Sequence, residues 1–333
     1  MAPYLTEQNR MWRERAREVA EKHVRPLAAK YDRLQEYPWE IKDAIAKSGL
    51  MGVWIPKEYG GSGAGVLDLC ICVEELSRAC GGVGVLFAVN ALGSFPILLG
   101  GTEEQKQRWL PGIARGETLL AFGLSEKFAG SDAGSLYATA VKDGNSYILH
   151  GEKKWNTNGG AADLYTVFAV TDPASKSRRI SALVVEKGTP GFQIGKIEDK
   201  MGIRCVPVVE LVFEDCRVPA ANLLGNAPGQ GFRQAMMTLD RARPGVAAQA
   251  VGLAQGALEL ALTYASHREQ FGSQILSFQM IQAMLAEMAT KVEAARNLVY
   301  TAALTVDTNA PDISKLSAMC KLFAFEMGIE LCR

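Results

Sequence analysis

The hydrophobic periodicity predicts an α+β chain built as three successive parts. A helical N-terminal domain occupies 1–118, a middle antiparallel β-barrel or sandwich domain 119–225, and a C-terminal helical bundle 226–333. Three observations carry this. Up to about residue 116 apolar residues recur at spacings of three, four and seven, the period of a helix with one buried face. Between 119 and 224 short apolar runs alternate with turn signals and no helical stretch intervenes, as in a barrel or sandwich. After residue 231 long helical periods return, apolar on several sides, and such helices pack as a bundle.

The elements follow in order. Leu5, Met11, Trp12, Ala16, Val19, Ala20, Val24, Leu27 and Tyr31 form the first helical stripe, with Thr6 at the N-cap and Glu7 and Gln8 in the first turn. A second helix is expected to open near Pro38, since proline is tolerated in a first turn, and to end at Gly49. A Gly-rich loop spans 56–65. Helices are predicted over about 66–80 and 83–99, the second largely apolar and buried, and a charged one over about 102–115. Strands are predicted over 147–150, 164–170, 180–185 and 208–213. Asp143-Gly144-Asn145 and Lys187-Gly188-Thr189-Pro190-Gly191 are turn signals between them. The last part holds helices over 231–267, 278–307 and 313–331, the middle one striped by Ile281, Met284, Leu285, Met288, Val292 and Ala295.

Composition excludes several classes. The chain has 333 residues, with 36 basic and 36 acidic side chains, so it lacks the basic excess of a nucleic-acid surface. A hydrophobic share of 48% with 22% charged residues is that of an ordinary globular enzyme. The seven cysteines are scattered without a Cys-x-x-Cys pair and are expected to be buried, reduced thiols, which points to a reducing, cytoplasmic compartment. The charged N-terminus has no apolar core of a signal peptide. No uninterrupted apolar run reaches the length of a membrane span. His23, His150 and His267 do not cluster, so no histidine-based metal centre is expected. Neither a Gly-x-Gly-x-x-Gly nor a Gly-x-Ser-x-Gly motif occurs, which removes support for a Rossmann dinucleotide site or an α/β-hydrolase elbow.

Two stretches carry chemistry. Residues 123–135 read Gly-Leu-Ser-Glu-Lys-Phe-Ala-Gly-Ser-Asp-Ala-Gly-Ser, and 152–160 read Glu-Lys-Lys-Trp-Asn-Thr-Asn-Gly-Gly. Taken alone, Gly130, Ser131, Asp132 and Gly134 make a turn or helix cap, and Trp155 a buried structural tryptophan. Together they also suit a flat cofactor, which needs an aromatic wall and a few placed donors. Asp240 and Arg243 lie three apart on one helical face, the spacing of an ion pair and also of a phosphate-binding arginine with its neighbour.

Five ordered blocks resemble the acyl-CoA dehydrogenase family, with short- and medium-chain-like features. They are Pro56-Lys57-Glu58-Tyr59-Gly60-Gly61, residues 123–135, Lys154-Trp155-Asn156-Thr157-Asn158-Gly159, Phe213-Glu214-Asp215-Cys216-Arg217-Val218-Pro219, and Arg268-Glu269-Gln270-Phe271-Gly272 followed by Phe278-Gln279. The resemblance implies α,β-dehydrogenation of an acyl-CoA thioester in carboxylic acid degradation, with electrons passed to electron-transfer flavoprotein. It implies FAD, held non-covalently between the β domain and the last bundle, and a homotetramer. Phe122, Leu124, Ser125, Gly130, Ser131, Trp155, Asn156 and Thr157 are then the cofactor-binding residues. Trp155 would cover one ring face and Thr157 bond near the reactive N5 edge. Arg268, Phe271 and Gln279 would reach a neighbouring subunit's FAD. Ser131, Asp240 and Arg243 would contact CoA, and residues 87–95 and 236–248 would line the acyl pocket. Thr238-Leu239-Asp240 and Ser277-Phe278-Gln279 resemble short-chain members, Arg243-Pro244 medium-chain ones. The family's base is a glutamate, in most members on a loop beyond residue 333 and in a minority at the position of Ala242. No residue of the sequence is therefore assigned as the base, and the chain is expected to be C-terminally incomplete. A flavin oxidase or monooxygenase on the same fold, and a non-catalytic flavin- or acyl-CoA-binding subunit, are the alternatives.

Overall fold

The computed structural model describes residues 5–332. The chain divides into two compact units, one built from the segment up to Ala29, Ala64–Val85 and the segment from Arg243 onward, the other from Lys30–Gly63 and Leu86–Ala242.

In the first unit, helix α1 (Glu7–Val19) opens on Thr6, as its N-cap position predicts. The reciprocal partner is Asn9: its amide donates to the Thr6 hydroxyl at 3.2 Å, and its side-chain oxygen accepts from the Thr6 amide at 2.9 Å. The helical stripe expected to continue to Tyr31 is broken. Residues Ala20–Val24 widen into a π-type turn, and a separate helix α2 (Ala28–Leu34) begins two residues after Pro26. Proline there has no N–H for the preceding turn, so the period survives while the helix does not. Helix α4 (Gly65–Ala79) follows α3 (Trp39–Lys47), and its N-terminus is capped from far away in sequence: the Asp307 carboxylate accepts from the Val66 and Leu67 amides at 2.7 and 2.9 Å. Asp307 is the last residue of α8 (Gln279–Asp307), which pairs with α9 (Ile313–Leu331).

Buried ion pairs join these helices. Glu74 accepts from Arg296 Nε and from the Tyr300 hydroxyl, each at 2.8 Å. Glu75 accepts from Arg17 at 2.8 and 3.0 Å and from Arg78 at 3.2 Å, while Arg78 also donates to Glu259 at 2.7 Å. Helix α7 (Gly231–His267) passes close enough to α4 that a Cβ on Gly252 would sit 2.3 Å from the Glu74 carbonyl oxygen.

In the second unit, α3 opens just after Pro38 and ends before a left-handed Gly49. Helix α6 (Glu103–Ala114) carries a second capping box, Thr102 with Gln105. The sheet has seven strands: β1 (Leu120–Gly123), β2 (Thr139–Asp143), β3 (Ser146–Thr157), β4 (Leu164–Val170), β5 (Ile180–Glu186), β6 (Phe192–Ile197) and β7 (Val208–Pro219). Its order is β1-β4-β2-β3-β7-β6, with β5 on β4. The expectation of an antiparallel sheet holds for most pairs and fails at one end: β1 runs parallel to β4, Leu120 opposite Leu164, and β2 touches β4 in parallel at Thr139 and Val170. The Gly144-Asn145 turn joins β2 and β3 as its sequence predicts, Asp143 facing Ser146. The sheet's interior is filled by Leu149, Tyr165, Val167, Leu183, Leu211 and Phe213.

Among the described residues two helices, α5 (Gly81–Gly100) and α7, are long and apolar enough by length and composition alone to cross a membrane, although neither is an uninterrupted apolar run. Of their apolar windows 72% and 56% are buried within the protein, the behaviour of core helices. Five of the cysteines are buried free thiols, as expected, but Cys80 is half-buried and Cys332 exposed. Cys80 lies outside the helix predicted to hold it, as the extended residue that ends α4.

Candidate functional site

The second chemical stretch owes its geometry to a β-bulge. Strand β3 buries Tyr147, Leu149 and Lys153 at the two-residue period of a pleated strand, which would next bury Trp155. Instead three residues of β3 face two of β7: Lys153 pairs with Leu211 and Asn156 with Val209. The extra residue flips the parity. Asn156 turns inward, its side-chain amide donating to the Val209 carbonyl at 3.0 Å, and Trp155 turns outward with 55% of its surface exposed. Trp155 has φ 58°, a left-handed backbone that a bulky residue adopts only under constraint. Thr157 is half-buried at the strand end. Asn158, also left-handed at φ 71°, ends the strand, and its side chain donates to the Leu120 carbonyl on β1 at 2.9 Å.

The two stretches meet. The Lys154 amide donates to the Ser125 carbonyl at 2.9 Å, so the segment leaving β1 lies directly against the bulge. Phe122 is half-buried, its ring 5.1 Å from Phe168, while Leu124 is buried. Gly130 and Ser131 are exposed, and a Cβ on Gly130 would meet nothing within 4 Å. Of the predicted cofactor residues Leu124 and Asn156 are buried, and Asn156 spends its side-chain amide on the Val209 carbonyl.

Beneath this wall sits a feature that sequence reasoning missed. Lys153 is fully buried, its ammonium donating to Glu126 Oε1 at 2.7 Å and to the Leu124 carbonyl at 3.2 Å. Glu126 also accepts from the Tyr137 and Ala138 amides at 2.6 and 3.1 Å. The only sequence signal was a lysine on an inward parity of β3, and that parity is visible only once the strand is paired. Burial pushes the lysine down from 10.5 to about 8, with the Glu126 charge opposing. Between about pH 8 and 10.5 the folded chain thus holds fewer protons here than the unfolded one, so stability rises with pH across that window. The penalty is fully present below it. The slope is at most about 1.4 kcal/mol per pH unit. Denaturation midpoints followed through the window, native chain against Lys153→Met/Glu126→Gln, are expected to diverge, the variant lacking this rise.

Asp240, Ala242 and Arg243 lie on α7. Asp240 and Arg243 are partly exposed and engage other residues of the chain, and Ala242 is buried. The remaining predicted residues belong to the first unit. Arg268 follows the last residue of α7 and is exposed, as is Gln279 at the start of α8. Between them strands β8 (Glu269–Gln270) and β9 (Ser273–Gln274) form a hairpin turned by Phe271 (φ 54°) and Gly272 (φ 75°). Both turn residues have positive φ, as a type I′ turn requires. Asparagine or glycine usually fills the first position, yet Phe271 stands there 94% exposed.

The donor chemistry around Trp155 fits the flat ring of a flavin. An exposed indole supplies a flat apolar face, and the Ser125 and Thr157 hydroxyls are engaged by no other side chain among the described residues. The open surface at Gly130 leaves room for a bulky ligand. Among the described residues no three His, Cys, Asp or Glu side chains gather as metal ligands. A separate cleft of about 530 Å³, lined by Arg108, Trp109, Thr118, Asp163, Glu186 and Lys187, contains none of the predicted site residues.

Helices, a curled sheet and helices again, with this wall on the sheet, are the architecture of an oxidoreductase class whose domains match the chain in order. The acyl-CoA dehydrogenase N-terminal domain matches residues 6–117, the middle domain 121–216 and the C-terminal domain 229–333. The chain belongs to the acyl-CoA dehydrogenase family. It is 45% identical over 327 residues to a probable acyl-CoA dehydrogenase of Mycobacterium tuberculosis, covering 98% of this chain and 84% of the relative. It is 46% identical over 324 residues to the acryloyl-CoA reductase (NADH) of Anaerotignum propionicum, covering 97% and 82%. Among solved structures, butyryl-CoA dehydrogenase of Megasphaera elsdenii superposes with a TM-score of 0.95 at 41% identity, covering 99% of this chain and 87% of that one. A chain from a structure described as an electron transferring flavoprotein of Acidaminococcus fermentans gives 0.96 at 47%, covering 99% and 87%.

Proposed function

We propose that the protein is an FAD-dependent acyl-CoA dehydrogenase that introduces a 2,3-double bond into a CoA thioester and passes the electrons to an electron-transfer flavoprotein. The observation that carries this reading is the bulge that exposes Trp155 and joins it to the Ser125 segment, in a chain of this family. FAD, when bound, would supply the acceptor for the hydride from the thioester's β-carbon, while the α-proton would go to a carboxylate base that is assigned to no residue of this sequence. The chain's part is to hold and orient: Trp155 gives a ring face, Ser125 and Thr157 give hydroxyl donors, and Ser131, Asp240 and Arg243 contact the CoA moiety. The match to a chain in the Acidaminococcus structure supports the proposed electron acceptor.

The proposed assembly is a homotetramer. Leu260, Leu262, Tyr264, Phe271, Met280 and Met284 are exposed on the first unit, more apolar surface than an isolated chain needs there. Arg268, Phe271 and Gln279 would contact FAD of a neighbouring copy, and the strained, protruding Phe271 turn suits such a role.

The test is to load the purified protein with FAD and add acyl-CoAs of graded length without oxygen. Bleaching of the visible flavin band by a thioester is expected; a flavin that no thioester reduces sinks the reading. Peroxide formation on admitting oxygen in place of reduction of the flavoprotein acceptor favours an oxidase. Trp155→Ala is expected to leave the melting temperature unchanged, because the ring is exposed, and to weaken FAD binding by up to about tenfold. Flavin titration checks this.

A further inference from the structure

Resting on the flavin reading, we propose that Lys153 and Glu126 are positioning residues that clamp the flavin-facing Leu124–Ser125 backbone to the bulge carrying Trp155. The geometry puts one charged pair at both ends of the exposed loop between β1 and β2. Lys153 holds its start through the Leu124 carbonyl at 3.2 Å and Glu126 at 2.7 Å. Glu126 holds its end through the Tyr137 and Ala138 amides at 2.6 and 3.1 Å. The stretch between is exposed at Lys127, Phe128, Gly130, Ser131 and Tyr137. Its inner bonds are local, the Glu126–Ala129 bridge and the Asp132–Ser135 turn, apart from Arg179 on the Gly134 carbonyl at 3.1 Å. Beyond the end of β1, where Gly123 pairs with Val167, the position of Leu124 and Ser125 is therefore set at the pair and at the Lys154–Ser125 bond beside it.

The pair is an expensive way to fill space. Burial works against the Lys153 charge, and two apolar groups of similar volume would serve stability as well or better. What a buried charge adds is direction: an ammonium with a carbonyl and a carboxylate as partners accepts few other arrangements. Lys153 is also the last regularly paired residue before the bulge, so the same side chain that fixes the loop fixes where Trp155 leaves the strand.

The experiment compares the native full chain with Lys153→Met, Glu126→Gln and the double variant, which removes both charges while keeping shape. The flavin-independent readout is hydrogen exchange at the Lys154 amide, whose partner is Ser125. The double variant is expected to stay folded with faster exchange there, by about tenfold. Once loaded with FAD it is expected to show a changed visible flavin spectrum and a kcat lower by about ten- to a hundredfold, with the KM for the thioester nearly unchanged. Native exchange, spectrum and kcat in the double variant overturn the proposal. So does a double variant that does not fold, because the pair is then purely structural. A native chain that binds no flavin refutes the flavin reading, while the exchange comparison still decides whether the pair holds the segment.

Discussion

Glu74→Ala is expected to destabilise the protein by about 3–5 kcal/mol, the usual cost of removing one partner from a buried ion pair. Glu74 is buried and accepts from Arg296 and Tyr300 at 2.8 Å each, and Tyr300 in turn accepts from Arg13 at 2.8 Å. Burial alone would pull the Arg296 guanidinium below its ordinary range; the charge and hydrogen bond of Glu74, with Tyr300 and Glu293 adding to them, together outweigh this and hold it above. Without Glu74 a largely buried cation is left uncompensated and the Tyr300 hydroxyl loses its acceptor. The alanine cannot be covered by a shift of α7, because Gly252 already brings that helix against the Glu74 backbone. Urea or thermal unfolding checks the figure, and a loss under about 1 kcal/mol would show the network to be solvent-screened like a surface pair. Glu74→Leu with Arg296→Met is expected to recover part of the loss, since neither charge is then stranded.

Gly151→Ala is the second large effect, about 2–5 kcal/mol. Gly151 has φ +130°, which side-chain-bearing residues rarely adopt, and the strain alone is worth about 1–3 kcal/mol. A Cβ there would lie 2.8 Å from both Cα and Cβ of Ala138, so backbone must move rather than a side-chain tip, at a similar further cost. The displaced residue matters beyond stability. The Ala138 amide is bound to Glu126, so any shift travels to the loop end that the Lys153 pair holds. Lower melting temperature together with weaker flavin retention is the expected outcome. A variant that melts lower but binds flavin normally would separate the crossing from the site.

Much of this was legible in the sequence where periods are long or runs unbroken. Helices over 231–267 and 313–331 and the strand over 164–170 emerge with the predicted limits, because their apolar patterns run long and, in the first, continue past Pro244. Strands β1, β2 and β6 were invisible for a physical reason: β1 has four residues, and β2 and β6 are largely exposed, so neither length nor alternation marks them. The break after Val19 was hidden because the apolar spacing continues across a π-type turn that alters the backbone and keeps the face. At the site, the motif residues were identifiable, but not which way they point. A bulge after Lys153 shifts parity by one, and that shift, which exposes Trp155 and buries Asn156, follows from pairing with β7, a strand some fifty residues away.

The capping of α4 by Asp307 has a consequence for how the chain is made. Val66 and Asp307 are 241 positions apart, so on the ribosome α4 emerges long before the carboxylate that completes its first turn. The segment Lys30–Gly63 and Leu86–Ala242 can gather its sheet as soon as residue 242 clears the exit. Helices α1 and α4 must meanwhile wait, with their partner residues Tyr300 and Asp307 on α8 still unsynthesised. Vectorial synthesis therefore assembles this protein from the middle outward, and the interval before the last helices arrive is when a chaperone would find apolar surface to hold.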